Sequence, residues 1–486
     1  MENIRDILSN VVSLDPTSWE ETRKLGHKMV DEMMDHLQNI RSEPSWRTIP
    51  EVTKEFLKGG IPQTPESIAE IYDEFKKHVL PYPSGNIHPR FWAWVQGTGT
   101  PFGVLAEMLA ATMNSNTAIG EHSAMYVEQQ VLDWCKEMLN YPKTASGILV
   151  SGGSMANITA LMVARNQQTG TNVRKEGVRS VKGNMVLYCS TETHSCIEKA
   201  AEVMGIGSGS VRKIGVDENY RIRLNELAAA IESDIASGNT PFCVVGNAGT
   251  VNTGAIDPLD DLLSVCRKYN LWFHIDGAFG ALAKMVPEYS EKLKAIEEAD
   301  SVAFDLHKWM YMPYDVGCTL VRNSGAHRNA YAVEANYLLN HERGLAAGPD
   351  PMGNYGLELS RGFKALKVWM SLKEHGIQKY AAAIRQNIAQ AFYLGELVAK
   401  EERLELLTPV SMNVVCFRYR RDGLSADRLN KEIVMTLQEQ GIASPSSTIL
   451  GGRYAIRVAN TNHRSRKEDF EVLIRETIRI GDGLAD

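Results

Sequence analysis

The 486-residue chain lacks an apolar run long enough to cross a bilayer. Its longest stretch without a charged residue, 235–256, is interrupted by Gly, Asn, Thr and Pro, so no membrane span is expected. The opening MENIRDILSN scatters charges among its apolar residues and has no signal-peptide core. Basic charge is not in excess. The 52 Lys and Arg stand against 59 Asp and Glu, a net charge of −7, which offers no footing for nucleic acid or a membrane surface as partner. Cysteine is sparse: Cys135, Cys189, Cys196, Cys243, Cys266, Cys318 and Cys416 lie singly, with no C-x-x-C. That pattern disfavours a bound metal and a disulfide framework and fits a reducing cytoplasm. No internal repeat or low-complexity segment is visible. What is present, 44% hydrophobic and 23% charged residues, is ordinary globular composition at a length suited to two or three domains.

Taken in order, residues 15–41 have helical periodicity behind a capping-box pattern at 17–20. A Pro- and Gly-punctuated arm leads to a second helix expected near 65–79. This segment is either a small helical domain or a hairpin that wraps a second subunit. Residues 82–99, YPSGNIHPRFWAWVQGTG, concentrate aromatics beside a Gly-rich turn. They are either core or the lining of a pocket for a flat substrate. After helices at 103–113 and 124–139, short apolar strands alternate with helices. The strands are expected at 148–150, 185–189, 211–216, 242–245, 271–275, 301–304 and 317–321. Such alternation predicts an α/β fold whose mostly parallel sheet is covered on both faces. A smaller α/β unit follows from 376, where Arg457 and His463 read more naturally as structural than as functional.

In sheets of this kind ligands sit beyond the carboxyl ends of the strands, and the polar residues there are informative. Ser151-Gly152-Gly153-Ser154 joins a strand to a helix, so its amides make either an anion site or a plain turn. It matches neither of the common nucleotide motifs. His194 follows the next strand and can stack on a planar ring or cap a helix. Thr250 sits in a Gly-rich loop. Asp276 closes the apolar run WFHID and needs a cationic or hydrogen-bonding partner. Lys308 follows DSVAFDLH; a lone lysine there is ordinarily a surface residue, and its sharper reading is an amine of depressed pKa that attacks an aldehyde. An anion cradle, a flat side chain, a carboxylate and a lysine are together what pyridoxal phosphate requires.

At these residues the chain resembles a family, the group II pyridoxal-phosphate-dependent amino-acid decarboxylases, aromatic-L-amino-acid branch. The segments that carry the resemblance are HPRFWAW, VSGGSMANITAL, TETHSCIEKA, GTVNTGAIDP, FHIDGAFG, DSVAFDLHKW and LSRGFKALKVW. It implies a fold type I (aspartate-aminotransferase-like) large domain at 86–375, a helical N-terminal segment at 1–85 and a small C-terminal α/β domain at 376–486. It implies that Lys308 carries the cofactor's aldehyde, that Asp276 pairs with the ring nitrogen and that His194 stacks on the ring. Gly153 and Ser154 would bind phosphate, Thr250 and Ala278 would line the cofactor, and His307 would sit by the substrate carboxyl. Tyr337 would be a proton donor on a mobile loop. Trp92, Trp94, Val95, Ser360 and Arg361 are the candidate substrate contacts. Asp305 and Gly277 stand where many members have Asn and Ala, so no phosphate contact is assigned to Asp305. The implied activity is decarboxylation of an aromatic L-amino acid (tryptophan, tyrosine, dihydroxyphenylalanine or phenylalanine) by a cytoplasmic homodimer with its site at the interface. Alternatives are an acidic substrate (glutamate or cysteine sulfinate), other pyridoxal-phosphate chemistry such as transamination, and a cofactor-binding protein without turnover.

Overall fold

The computed structural model describes residues 8–9, 12–333, 341–421 and 425–485. Two sheets organise them. The larger is built from β2 (Ser146–Val150), β3 (Met185–Ser190), β4 (Val211–Ile214), β5 (Thr240–Asn247), β6 (Trp272–Asp276), β7 (Ser301–Asp305) and β8 (Gly317–Val321). Their spatial order is β2-β8-β7-β6-β5-β3-β4. β8 alone runs opposite to the other strands, pairing antiparallel with both β2 and β7; β3–β7 pair in parallel. Runs such as PFCVVG and WFHID contain no alternation because helices cover both faces, and every residue of β3, β6 and β7 is buried. The fourth strand is shorter than its expected 211–216, since Val216 turns away to bridge Ile222.

The small sheet has the order β1-β11-β12-β10-β9, with β9 Leu404–Leu406, β10 Val414–Tyr419, β11 Ser444–Leu450 and β12 Arg453–Ala459. Its first member, β1 (Phe91–Trp92), comes from far earlier in the chain and pairs in parallel with Ser444 and Pro445. Those two residues, grouped by sequence with the central segment, therefore belong to the small lobe. The helix Ala365–Lys400 links the lobes and breaks at Gly376, whose φ of 69° suits a residue without a Cβ. At the N-terminus, Ser18 caps the helix Trp19–Asn39, which has no buried residue. No helix among the described residues is long and apolar enough to cross a membrane.

Four histidines are packed inside this frame. Burial lowers His88, His327 and His463 to about 4 and His274 to about 3. Each is neutral when folded but takes a proton near pH 6.5 when unfolded. Protonation therefore pulls toward the unfolded chain, and stability held above pH 6.5 is lost as pH falls toward 4. Melting temperature should drop across that window. His327→Gln, which can keep neutral bonds to Ser146 and Tyr355, should flatten part of the slope; an unchanged slope would contradict the assignment.

Candidate active site

A cavity of about 560 Å³ opens at the carboxyl ends of the large sheet, within the size range of small-molecule sites. Lys308, Asp276, His194, His307, Gly153, Ser154 and Ala278 all line it, as do Trp94 and Val95. A larger cleft of about 1040 Å³, bordered by Arg174, Asn329 and Asp350, contains none of these side chains.

The helix Gly153–Gln168 starts directly after β2, and no side chain caps it. Its first amides are thus available to an anion, and the helix dipole favours one there by roughly 0.3–1 kcal/mol. Glycine is required on steric grounds. A Cβ on Gly153 would come 2.8 Å from Asp305 Oδ2, and one on Gly317 would come 2.7 Å from Gly152 Cα.

Lys308 lies in the short turn Leu306–Trp309 that ends β7. Its Nζ is 2.8 Å from Asp305 Oδ2. Burial disfavours the ammonium, but the charge and hydrogen bond of Asp305 outweigh it and hold the lysine above its ordinary pKa. The depressed value expected from sequence is corrected: an adjacent carboxylate, invisible to a burial argument, reverses the sign. His307 is buried, its Nδ1 3.1 Å from both the amide and the carbonyl of Val316 and its ring tilted on Tyr314 at 4.3 Å. Burial lowers its pKa despite Asp305.

Asp276 ends β6. Its Oδ1 accepts from the Ala278 amide at 3.1 Å, and the Cys196 thiol lies 4.0 Å from Oδ2. Burial pushes its pKa up, against the opposing influence of Lys308 and His194, so this carboxylate lacks a full counter-charge. Asn157 supports the floor: its Oδ1 is 2.7 Å from His274 Nε2 and its amide donates to Gly153 O at 2.8 Å. His194 stands at the rim, its Nδ1 accepting from the Cys196 amide. Desolvation within the cleft lowers its pKa. Gly277 faces Ala281 so closely that a Cβ would approach Ala281 Cβ to 2.4 Å.

Four expected site residues are placed elsewhere. Trp92 is 1% exposed, donates from Nε1 to Ser465 Oγ and stacks on Phe470, so it is small-lobe core. Thr250 is buried behind the cavity wall, where its hydroxyl meets Thr253 and accepts from the Ala255 amide. Ser360 is exposed and does not reach the cavity. Arg361 is buried, ion-paired with Glu128 and donating to Thr117 O and Leu149 O. Removing one partner of such a pair costs about 3–5 kcal/mol. Arg361→Met should therefore lower the melting temperature strongly while leaving substrate KM nearly unchanged; a KM effect without destabilisation would restore a binding role. Tyr337 lies outside the described residues.

Sequence reasoning missed several lining residues. Arg457, read as structural, reaches the cavity from β12. It donates to the carbonyls of Asn252 (3.1 Å), Trp94 (2.7 Å) and Val251 (2.5 Å) and to Ser446 Oγ (3.0 Å). Asn157 and Cys196 lay inside the quoted motifs but carry no signature of their own.

The arrangement has known counterparts. The family model described as "Pyridoxal-dependent decarboxylase conserved domain" matches residues 50–420. The chain belongs to this family. Among curated relatives, this decarboxylase is 35% identical over 460 residues to an aromatic-L-amino-acid decarboxylase of Bacillus atrophaeus, covering 93% of this chain and 94% of that one. Among solved structures it is similar to Oryza sativa TDC with PLP and tryptamine, with a TM-score of 0.89 at 25% identity, over 98% of this chain and 100% of the other. It is also similar to Catharanthus roseus tryptophan decarboxylase in complex with L-tryptophan, with a TM-score of 0.86 at 26% identity, over 97% and 100%. The decarboxylase thus has the fold type I architecture, large parallel sheet and small lobe together.

Proposed function

We propose that this enzyme uses pyridoxal phosphate to decarboxylate an aromatic L-amino acid to its amine and carbon dioxide. The observation that carries the reading is the gathering of Lys308, Asp276 and the uncapped Gly153–Ser154 helix start around one cavity. These residues fit the cofactor. The amides of Gly153 and Ser154 would hold its phosphate, the Lys308 amine its aldehyde and the Asp276 carboxylate its ring nitrogen, with His194 over the ring and Ala278 beside it. When bound, pyridoxal phosphate supplies the electron-poor ring that takes up the charge left as carbon dioxide departs.

The chain's own groups prepare that chemistry. Asp305 Oδ2, 2.8 Å from Lys308 Nζ, orients the lysine side chain in the cavity. Asp276, short of a counter-charge, favours a cation in front of it. His307, held neutral by burial, is positioned to hydrogen-bond a substrate carboxyl without fixing it as an ion pair. On the family resemblance Tyr337 returns a proton to the substrate's Cα. Tyr337→Phe should then raise aldehyde by-products at the expense of amine, and an unchanged amine yield would remove Tyr337 from the mechanism.

The aromatic preference is supported by Trp94, Phe279 and Tyr314 in the walls and by the substrates named for the relatives. Among the described lining residues, Arg457 is committed to carbonyls and a hydroxyl and Lys308 to Asp305, so this chain presents no free cation to an acidic side chain. A homodimer is supported by apolar side chains left exposed on the helix Pro101–Met113, including Val104, Met108 and Met113. Seven free, buried cysteines support a cytoplasmic setting. Carbon dioxide and amine formation should be followed across tryptophan, tyrosine, dihydroxyphenylalanine, phenylalanine and glutamate. Turnover of the aromatic substrates is expected; turnover of glutamate alone, or of none, would overturn the proposal.

A further inference from the structure

We infer that Asp305 sets the charge that the phosphate cradle accepts, making it favour a monoanionic over a dianionic group; this rests on the cofactor reading above. Asp305 is 1% exposed. Its Oδ2 pairs with Lys308, while its Oδ1 is buried without a hydrogen-bond partner. An unsatisfied carboxylate oxygen in a protein interior is rare and calls for an explanation. This one is packed directly beneath the anion-binding backbone. A Cβ on Gly153 would sit 2.8 Å from Oδ2, and one on Gly317 2.8 Å from Oδ1.

Around the cradle the fixed charges are the Lys308 ammonium, the Asp305 carboxylate and the partial positive charge, about half a unit, of the helix start. The first two cancel. His307 Nε2 is 3.8 Å from Asp305 Oδ2, but burial holds that ring neutral and adds no cation. A dianion entering there meets a like charge at close range with only the helix start to offset it, whereas a monoanion is nearly balanced. Asp305 is therefore a specificity-determining residue that disfavours a second negative charge in the cradle.

The test uses probes of fixed charge on the full chain freed of cofactor, at pH 8, with binding read by thermal shift and calorimetry. Sulfate is the dianion and methyl sulfate the monoanion. The wild-type protein should bind methyl sulfate at least as tightly as sulfate. Asp305→Asn, nearly isosteric and uncharged, should move the ratio toward sulfate by roughly tenfold or more. A wild-type preference for sulfate, a ratio unchanged in the variant, or binding of neither anion overturns the inference. If Asp305→Asn does not fold, the wild-type ratio decides alone. Aromatic amino-acid decarboxylation together with an unchanged ratio would sink this inference and leave the proposed function standing.

Discussion

Lys308→Ala is expected to lower kcat/KM by roughly 1,000-fold or more, because it removes the amine proposed to carry the cofactor. It should also destabilise the fold. Asp305 would be left buried at the end of β7 with neither oxygen partnered, and breaking a buried pair from one side costs about 3–5 kcal/mol. The two losses can be separated. In the double variant Lys308→Ala, Asp305→Asn no charge is stranded, so the melting temperature should recover while activity does not. Such non-additivity is the signature of a coupled pair. Equal melting temperatures for the single and double variants would show that the pair does not hold the turn. Retained turnover in Lys308→Ala would remove the lysine from the chemistry.

Asp276→Asn should reduce kcat by roughly 100- to 1,000-fold through loss of one preorganised charge, with the opposite effect on the cofactor-free fold. The carboxylate's folded pKa is raised by burial. An acid shifted in this direction contributes stability at low pH that is lost as pH rises through the folded value. A neutral amide of the same shape avoids the loss, and its oxygen can still accept from the Ala278 amide. The variant should melt higher than wild type at pH 8, and the gain should shrink toward pH 4. Lower stability at pH 8 would mean that Asp276 is a structural acid rather than one awaiting a cation.

Much of this site was legible before any coordinates. Lys308, Asp276, His194 and Ser154 each follow a short apolar strand, and in a mostly parallel sheet that position alone predicts convergence on one edge. The large sheet follows from the same alternation, and the separate strand at Gly317–Val321 was readable from its own apolar run. The misplacements have a common physical origin. Trp92 and Trp94 are two residues apart, a spacing that would put both on one face of a continuous strand, but the strand ends at Trp92 and Trp94 has a left-handed φ of 53°, so one enters the small-lobe core and the other faces the cavity. Aromatic composition does not separate the two faces. Arg361 stood among the candidate substrate contacts because its partner, Glu128, lies 233 residues away in sequence. The sign of the Lys308 shift depended likewise on a side chain three residues earlier whose direction no periodicity reveals. Arg457 was undervalued because its four acceptors come from three separate stretches of chain.

The segment Phe91–Gln96 is anchored at one end as the first strand of the small sheet and forms a cavity wall at the other. Arg457 ties that same wall, through Trp94, to the small lobe and to the loop carrying Val251 and Asn252. The two lobes accordingly share a lever. Any tilt of the small lobe carries Trp94 with it and alters the room left for a substrate ring. Changes in β11 or β12 can thereby retune which rings are admitted, without a single altered atom touching them.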